Sequence, residues 1–325
     1  MKVPAIRVHE TGGPEVLQLE DIEVGDPGPG QLRIRQTAIG VNFIDTYFRT
    51  GLYQHPLPFT AGQEAAGVVE TIGEGVQDVR VGDRVAYAGG PIGAYAAARL
   101  FPADRVVLLP DWIDDHTAVS LLLKGMTAEY LLHRTYAVQK DDWILVHAAA
   151  GATGGLLCQW GKFLGAHVIG SVGSAGKVPV AEANGAEKTV VTDDAGWPMK
   201  VRDFTDGAGV RVVYDGVGAA TFDGSLECLQ TRGLMVSFGN ASGAVPPLAI
   251  SRLTDRGSLF LTRPTLRDHT ATRKDLTESA AALFDVVHRG AVKATIAKTF
   301  PLAEAAEAHR AIESRALTGS VILIP

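Results

Sequence analysis

The chain has 325 residues, a formal net charge of −6 at pH 7 and 46% hydrophobic residues. This length suits two domains, and the composition excludes a chain that stays disordered. The mild acidity excludes a bulk attraction to nucleic acid or to an anionic membrane, so neither is expected as the main partner.

The cysteine count and the hydropathy pattern indicate the cellular compartment. Two cysteines, Cys158 and Cys228, cannot form a disulfide-rich scaffold, and we interpret them as reduced, packed thiols. The first residues, MKVPAIRVHE, lack the apolar core of a signal peptide, and no run of about 18 consecutive apolar residues occurs. We therefore expect a cytoplasmic protein without a membrane span.

The first third of the chain has the pattern of a β-rich domain. Alternating or short apolar runs such as QLRIRQTAIGVN and AAGVVETIG are separated by glycine and proline clusters such as GDPGPG. Many short strands joined by turns predict a closed or barrel-like β domain.

From about residue 111 strands and helices alternate. The run AVSLLLKGMTAEYLLHR predicts a long helix, and the later strands are near-continuous apolar runs, as in a parallel sheet covered on both faces. These predicted strands are WILVHA, HVIGSV, KTVVT, RVVYDGV, LMVSFG and SLFLT. The predicted fold class is α/β, with a doubly wound parallel sheet.

The last part of the chain continues with the helix KDLTESAAALFDVVHRG, the strand KATIAKTFP, the helix AEAAEAHRAIESR and the strand SVILIP. We expect these elements to return to the first domain. The parallel-sheet domain would then be inserted between two parts of the β-rich domain.

A glycine-rich turn follows the strand WILVHA. Dinucleotide-binding turns use glycines for a tight turn, for close approach to the pyrophosphate and for helix–strand packing. The three glycine positions of the pattern GxGxxG hold Ala149, Gly151 and Gly154 here. The two positions nearest the phosphate and the strand keep glycine, and the N-terminus of the following helix favours an anion. The sequence therefore predicts a dinucleotide site rather than a turn that binds no ligand.

The end of the strand HVIGSV indicates which nucleotide binds. Gly173, Ser174 and Lys177 follow this strand, and no acid occurs before Glu182. An NAD site uses an acid here to accept hydrogen bonds from the ribose, whereas hydroxyl and ammonium donors suit a 2′-phosphate. The sequence therefore predicts NADPH rather than NADH. The alternative interpretation of Lys177 is a solvated surface lysine that contacts no phosphate.

An ordered series of motifs gives the chain a family resemblance over essentially its whole length. The motifs are GVNFIDTYFRTGLY, FTAGQEAAGVVETIGEGV, VGDRVAY, LLLKGMTAEYLL, VHAAAGATGG, GSVGSAGK, VVYDGVG, SFGNASG, GSLFLTRPTL and ESRALTGSVILIP. The chain resembles the zinc-free medium-chain dehydrogenases/reductases, and specifically the NADPH:quinone oxidoreductases of the zeta-crystallin-like group.

The resemblance implies the domain organisation. A GroES-like β-rich catalytic domain is expected at residues 1–125 and 266–325, and a Rossmann domain that binds NADPH at residues 126–265. It also implies a homodimer formed through an edge strand of the nucleotide-binding domain.

The resemblance also implies the residues of the site. The residues expected at the reacting groups, where they would donate hydrogen bonds to the acceptor, are Asn42, Tyr47, Tyr53 and Thr127. Ordinary packing with a satisfied hydroxyl is the alternative for each tyrosine. The expected cofactor-binding residues are Tyr130, Ala150, Gly151, Ala152, Thr153, Gly154, Gly173, Ser174, Lys177, Thr192, Val217, Phe238, Gly239, Asn240, Thr262, Arg263 and Arg315. The family often has a tyrosine at the position of Thr192, so the 2′-phosphate pocket is expected to be weaker here.

The zinc ligands of related dehydrogenases are not found in the sequence. Gln63 stands where those enzymes have the histidine of a GHE triplet, and no cysteine precedes it. Glutamine is a poor zinc ligand, and the nine histidines show no paired metal-binding pattern. We therefore expect no metal. Without zinc to polarise a carbonyl, a quinone or conjugated carbonyl is favoured, because the arriving hydride is delocalised into the ring or enolate oxygen.

The predicted function is that of an NADPH-dependent quinone reductase. One alternative is an NADPH-dependent reductase of enones or 2-alkenals. Another is a protein that binds NADPH without turnover. RNA binding, known in similar proteins, is disfavoured as the main role by the acidic charge and the lack of a basic run.

Overall fold

The structure is a computed structural model that describes residues 1–325. The chain forms two units. The first consists of Met1–Leu123, Thr270–Ala281 and Ala294–Pro325, and the second of Lys124–His269 and Ala282–Lys293. The C-terminal elements thus return to the first unit, apart from the segment Ala282–Lys293.

The elements of the N-terminal part are mostly short strands. In chain order they are β1 (Lys2–Val8), β2 (Leu17–Glu23), β3 (Gln31–Val41), α1 (Phe43–Arg49), β4 (Phe59–Thr60), β5 (Glu64–Ile72), β6 (Arg84–Ala88), β7 (Ala98–Pro102), β8 (Val107–Leu108) and α2 (Asp115–Glu129). A π-helical turn, Tyr130–Thr135, continues α2.

Strands and helices alternate in the rest of the chain. The elements are β9 (Trp143–Val146), α3 (Ala152–Phe163), β10 (His167–Val172), α4 (Val178–Ala183), β11 (Lys188–Val191), α5 (Trp197–Asp203), β12 (Val210–Asp215), α6 (Phe222–Cys228), β13 (Leu229–Ser237), α7 (Ser251–Asp255), β14 (Phe260–Thr262), α8 (Leu266–His269), α9 (Arg273–His288), β15 (Ile296–Pro301), α10 (Ala305–Glu313) and β16 (Ser320–Ile324). None of these helices is long and apolar enough to cross a membrane.

Two sheets build the first unit. One has the order β2-β1-β4, and the other has the order β15-β16-β3-β5-β6-β8, with β7 also paired to β3. The C-terminal strand β16 pairs antiparallel with β3, so that Val321 lies opposite Val41. The last residues of the chain therefore complete the main sheet of the β-rich unit.

A six-stranded parallel sheet forms the centre of the second unit. Its strand order is β11-β10-β9-β12-β13-β14, which is the doubly wound order 3-2-1-4-5-6. Strands β9 and β10 have fully buried residues at Ile144, Leu145 and Ile169. Because the order reverses between β9 and β12, a ligand is expected beyond the carboxyl ends of these strands. The predicted α/β fold class is confirmed.

The long amphipathic helix α9 contributes to both units. Its second half includes Leu283, whose side chain lies so close to α2 that a Cβ on Gly125 would come within 2.4 Å of it. This packing explains why Ala282–Lys293 belongs to the second unit, although the sequence pattern predicted these residues for the first domain. The hydrophobic period predicts a helix but does not say which core its face contacts.

Candidate functional site

The turn between β9 and α3 brings the helix against the strand. A Cβ on Gly154 would lie 2.2 Å from the carbonyl oxygen of Ala148, and one on Gly151 would lie 3.1 Å from the same atom. Gly151 is also the N-cap residue of α3. The two glycines therefore allow the close helix–strand approach that dinucleotide-binding turns need.

The alanine at the first glycine position is accommodated because the strained backbone lies one residue earlier. Ala148, not Ala149, has the positive φ of 53°. Ala149 is fully buried, and its N–H donates to the carbonyl oxygen of Ser171 at 2.9 Å. Its carbonyl oxygen accepts from the side chain of Asn184 at 3.0 Å. Alanine can therefore replace glycine here without a change in the turn.

A buried histidine directly after β9 links strand β10 to helix α6. His147 is 2% exposed; its Nδ1 lies 2.6 Å from Ser171 Oγ and its Nε2 lies 2.8 Å from Ser225 Oγ. Burial lowers the pKa of His147, which nearby Asp215 offsets in part. The sequence did not indicate these contacts of His147 with two serines. Ser225 is fully buried, so the arrangement supports the turn and does not form a nucleophile.

Asp215, at the end of β12, shapes the neighbouring loop. Its carboxylate accepts from the N–H groups of Val217 (2.8 Å) and Gly218 (3.0 Å) and from the hydroxyl of Thr221 (2.8 Å). The loop that carries Val217 is thereby fixed at the switch point of the sheet, where sequence reasoning expected a cofactor contact.

The end of β10 leaves room for a phosphate. A Cβ on Gly173 or on Gly176 would have no atom within 4 Å, and Ser174 is exposed beside them. Thr192, the departure from the family, donates from its hydroxyl to the carbonyl oxygen of Val172 at 3.3 Å. The Thr192 hydroxyl is therefore turned toward the backbone of the adjacent strand.

Two acids follow β11, of which Asp193 is exposed and Asp194 forms an ion pair. Asp194 lies 2.5 Å from the ammonium group of Lys200, and this lysine lowers the pKa of the aspartate. Open space, a hydroxyl and a nearby lysine fit the 2′-phosphate of NADPH, and the paired charge of Asp194 does little to oppose it.

Arg263 organises the loop after β13. Its guanidinium donates to the carbonyl oxygens of Ser237 (2.8 Å) and Gly239 (3.1 Å). In the amide orientation that satisfies both of its polar atoms, Asn240 accepts from Arg263 at 3.0 Å. A Cβ on Gly239 would lie 2.3 Å from the carbonyl oxygen of Gly216. The segment Phe238–Asn240 is therefore held tightly beside the loop after β12.

Tyr130 and Thr127 lie where α2 gives way to the π-helical turn. Both are buried, and the ring of Tyr130 stacks on His269 with 4.4 Å between centroids. Burial raises the pKa of Tyr130, and Arg263 acts against this shift. The Tyr130 hydroxyl is therefore protonated at neutral pH. Thr262 ends β14, in the same unit as these residues.

The first unit contains Asn42, Tyr47, Tyr53 and Arg315. The rings of Tyr47 and Tyr53 meet edge to face with 5.3 Å between centroids, and the Tyr53 N–H donates to the Tyr47 carbonyl oxygen at 3.0 Å. Asn42 immediately precedes α1, the helix that carries Tyr47. The structure thus brings two predicted tyrosines together beside Asn42. Arg315 is exposed, with a φ of 55°.

A buried chain of hydrogen bonds supports α1. Arg49 donates to His309 Nδ1 at 3.0 Å, so Nε2 carries the proton and donates to the Tyr95 hydroxyl, also at 3.0 Å. Tyr95 donates in turn to Asp45 Oδ2 at 3.0 Å, and the same oxygen accepts the N–H of Asn42 at 2.9 Å. Burial, with the charge of Arg49, lowers the pKa of His309 to about 3.

Because His309 is part of these buried hydrogen bonds, we expect the free energy of unfolding to fall in acid. The pKa of His309 is about 3 in the folded protein against an ordinary 6.5, so below pH 6.5 the unfolded chain binds a proton that the folded chain rejects. The free energy of unfolding should fall by about 2 kcal/mol between pH 6.5 and 4.5 through this group. Urea denaturation across this range measures it. His309→Gln, which keeps a donor and an acceptor, should have a flatter profile, and an unchanged profile would contradict the assignment.

The two thiols are not reactive groups of the site. Burial raises the pKa of Cys158 to about 12 and also raises the pKa of Cys228. We expect the native protein to show no fast reaction with a disulfide reagent at pH 8, because the thiolate is the reactive form. Titration in denaturant should release two equivalents. Rapid modification of the native protein would show that one thiol is activated.

No group of three or more His, Cys, Asp or Glu side chains that could hold a metal ion is present. Gln63 is buried, and its Nε2 has no hydrogen-bond partner.

Known proteins resemble this chain in sequence and in structure. Residues 28–111 match the alcohol dehydrogenase GroES-like domain, and residues 152–285 match the zinc-binding dehydrogenase family. A quinone oxidoreductase of Salmonella typhimurium is 46% identical, covering 98% of this chain and 99% of its own. A 2-haloacrylate reductase of a Burkholderia species is 44% identical, covering 99% of both chains. The crystal structure of Escherichia coli quinone oxidoreductase complexed with NADPH matches with a TM-score of 0.97 at 45% identity, over 99% of this chain and 100% of that one.

A GroES-like domain joined to a doubly wound dinucleotide-binding sheet defines a medium-chain oxidoreductase. Within that class, the chain belongs to the quinone oxidoreductase family. The family predicted from the sequence is therefore confirmed.

Proposed function

We propose that this chain is an NADPH-dependent quinone reductase and that its acceptor is a small quinone. The observation that carries the proposal is the dinucleotide turn at the switch point of the sheet, beside a strand end that is open and free of acid. Relatives about 45% identical, with almost the same length, are named quinone oxidoreductases. One of them was solved with NADPH.

The nucleotide-binding residues have separate tasks in this proposal. The backbone of Ala150–Gly154 and the N-terminus of α3 hold the pyrophosphate, since N–H groups at a helix start attract anions. Gly173 leaves space for the 2′-phosphate, which Ser174 and Lys177 bind by donating hydrogen bonds. Val217, the segment Phe238–Asn240, Thr262, Arg263 and Arg315 complete the proposed contacts.

NADPH, when bound, supplies the hydride. The protein orients the acceptor and stabilises the negative charge that develops on its oxygen. The hydroxyls of Tyr47 and Tyr53 are proposed to donate to that oxygen. Thr127 and Tyr130 are proposed to contact the cofactor from α2 and its π-helical extension.

A quinone panel tests the proposal. Purified protein is assayed for oxidation of NADPH and NADH with ortho- and para-quinones, and Tyr47→Phe and Tyr53→Phe serve as variants. We expect turnover with NADPH preferred, and a lower kcat when a hydroxyl is removed, with little change in NADPH binding. Tight NADPH binding without turnover of any quinone would favour a binding protein instead.

A conjugated acceptor is the second candidate. The 44% identical relative is named a 2-haloacrylate reductase, and an enone or alkenal can delocalise the incoming hydride as a quinone does. Parallel assays with quinones and short 2-alkenals separate the two. A kcat/KM for alkenals above that for every quinone would replace the first candidate by the second.

We further propose a homodimer formed through the edge strand β14. This strand ends the parallel sheet, and Phe260 and Leu261 are 55% and 40% exposed on it. An exposed apolar edge is a template for pairing with another strand. Sedimentation should show a dimer, and a Phe260→Lys, Leu261→Lys variant should be monomeric. Met199→Lys, at an apolar residue 72% exposed elsewhere in the unit, is the control.

A further inference from the structure

Glu64 is a buried carboxylate that the proposed site does not yet use. It begins β5 and is 0% exposed. Its Oε1 accepts from the N–H of Leu123 at 2.7 Å, and its Oε2 accepts from Nδ2 of Asn42 at 2.9 Å. A Cβ on Gly40 would come within 2.2 Å of Oε2. The absence of a side chain at Gly40 therefore makes room for this carboxylate.

These contacts fix the orientation of the Asn42 amide. Nδ2 donates to Glu64 at 2.9 Å and to the carbonyl oxygen of Gly40 at 3.3 Å. A carbonyl oxygen only accepts hydrogen bonds, so the nitrogen of the amide has to face Gly40, and Oε2 of Glu64 accepts from the same nitrogen. Both amide hydrogens are then used within the protein. Oδ1 accepts from the backbone N–H of Asp45 in the capping box of α1, and its second lone pair is what Asn42 offers a ligand. This is an acceptor, not the donor that the sequence predicted.

Because Oδ1 of Asn42 accepts hydrogen bonds, its partner in a ligand has to be a hydrogen-bond donor. The oxygens of a quinone also only accept, so Oδ1 of Asn42 cannot bind them. The carboxamide of nicotinamide has an NH₂ group that donates. We propose that Glu64 is a positioning residue that holds Asn42 as a hydrogen-bond acceptor for the nicotinamide carboxamide. This inference rests on the proposed function, since it requires Asn42 to contact bound NADPH.

The isosteric amide cannot take over the role of Glu64. In Glu64→Gln, one amide atom faces the N–H of Leu123 and the other faces Nδ2 of Asn42, and both neighbours are donors. The backbone of Leu123 cannot turn, whereas the side-chain amide of Asn42 can. Asn42 should therefore rotate at the cost of its hydrogen bond to the Gly40 carbonyl oxygen, accept from the introduced glutamine and direct its N–H toward the ligand. Donor and acceptor are exchanged without a change in size.

The test uses binding, so it does not depend on turnover. The dissociation constants of NADP⁺ and of its 3-acetylpyridine analogue, whose methyl ketone lacks the NH₂ donor, are measured by calorimetry for the full chain. We expect the wild type to bind the analogue roughly 5- to 10-fold more weakly, the equivalent of one hydrogen bond of about 1 kcal/mol. This preference should vanish in Glu64→Gln.

A double variant supplies the rescue. In Asn42→Asp with Glu64→Gln, the introduced glutamine donates to one oxygen of the introduced aspartate, and the other oxygen of that carboxylate again accepts from the carboxamide. We expect the preference for NADP⁺ to return. Glu70→Gln, the same substitution further along β5 at a carboxylate paired with Arg33, should leave the preference unchanged. Should Glu64→Gln fail to fold, Asn42→Ala tests the acceptor, and the preference should be lost there as well.

Each remaining outcome is decisive. Equal binding of NADP⁺ and the analogue by the wild type overturns the inference while the proposed function stands. Folded Glu64→Gln with the wild-type preference also overturns it. Weaker inhibition by hydroquinone in Glu64→Gln, with that preference intact, would assign Oδ1 to the product hydroxyl instead. No binding of either nucleotide by the wild type would defeat the proposed function itself.

Discussion

Gly154→Ala should reduce the affinity for NADPH by roughly 10- to 100-fold, because a hydrogen bond to a charged group such as the pyrophosphate contributes about 1.5–3 kcal/mol. The added methyl would lie 2.2 Å from the carbonyl oxygen of Ala148, and a backbone atom cannot rotate away as a side chain does. Helix α3 has to move from β9, and its first N–H groups leave the pyrophosphate. Fluorescence titration with NADPH measures the loss.

Gly161→Ala is the matched control, since it adds the same methyl to the same helix. Its neighbours are side-chain methyl groups and not backbone atoms, Ile144 at 3.0 Å and Val168 at 3.3 Å. We expect a stability loss of about 1–3 kcal/mol from overpacking, with NADPH affinity near that of the wild type. If both variants lost affinity equally, general destabilisation would explain the result, and the turn would have no special role.

Gly173→Asp should shift the cofactor preference from NADPH toward NADH. Gly173 does not need a positive φ, and a Cβ there meets no atom within 4 Å, so the aspartate fits without strain. Its carboxylate repels the 2′-phosphate and can accept from a free ribose hydroxyl. The KM for NADPH should rise roughly 10- to 100-fold, which corresponds to about 1.5–3 kcal/mol for a charged hydrogen-bonding group.

Gly173→Asn separates charge from bulk, because its side chain has the same shape without the carboxylate. We expect it to bind NADPH only slightly more weakly than the wild type. Steady-state kinetics with both nucleotides give the two ratios. An aspartate variant that still preferred NADPH as strongly as the wild type would place the 2′-phosphate away from the end of β10.

The elements longest in sequence and richest in apolar residues were predicted well. The strands of the parallel sheet, helix α3 and the C-terminal strand all occur where their hydrophobic runs lie. The short elements α1, α5 and α6 were missed, since each has only seven residues and two turns give little periodic signal. Their stability comes from packing against neighbours distant in sequence.

The nucleotide turn shows what a local pattern can determine. Gly151 and Gly154 lie in one short stretch, and the steric need for glycine there depends on the adjacent strand and helix. The sequence therefore indicated the turn, the missing acid after β10 and the family. The tolerance of Ala149 could not be predicted, because it depends on the left-handed backbone of Ala148.

Tertiary structure decided the hydrogen-bond directions. His147 finds Ser225, and Arg49 finds His309, only when residues 78 and 260 positions apart in the chain come together. The orientation of the Asn42 side-chain amide likewise depends on Glu64, which lies on strand β5. By itself the sequence determined the fold class, the family and the kind of nucleotide, because these follow from local patterns of size and charge. Which atom of a polar side chain faces a ligand was set by the fold alone, since the partners that orient it are remote in sequence.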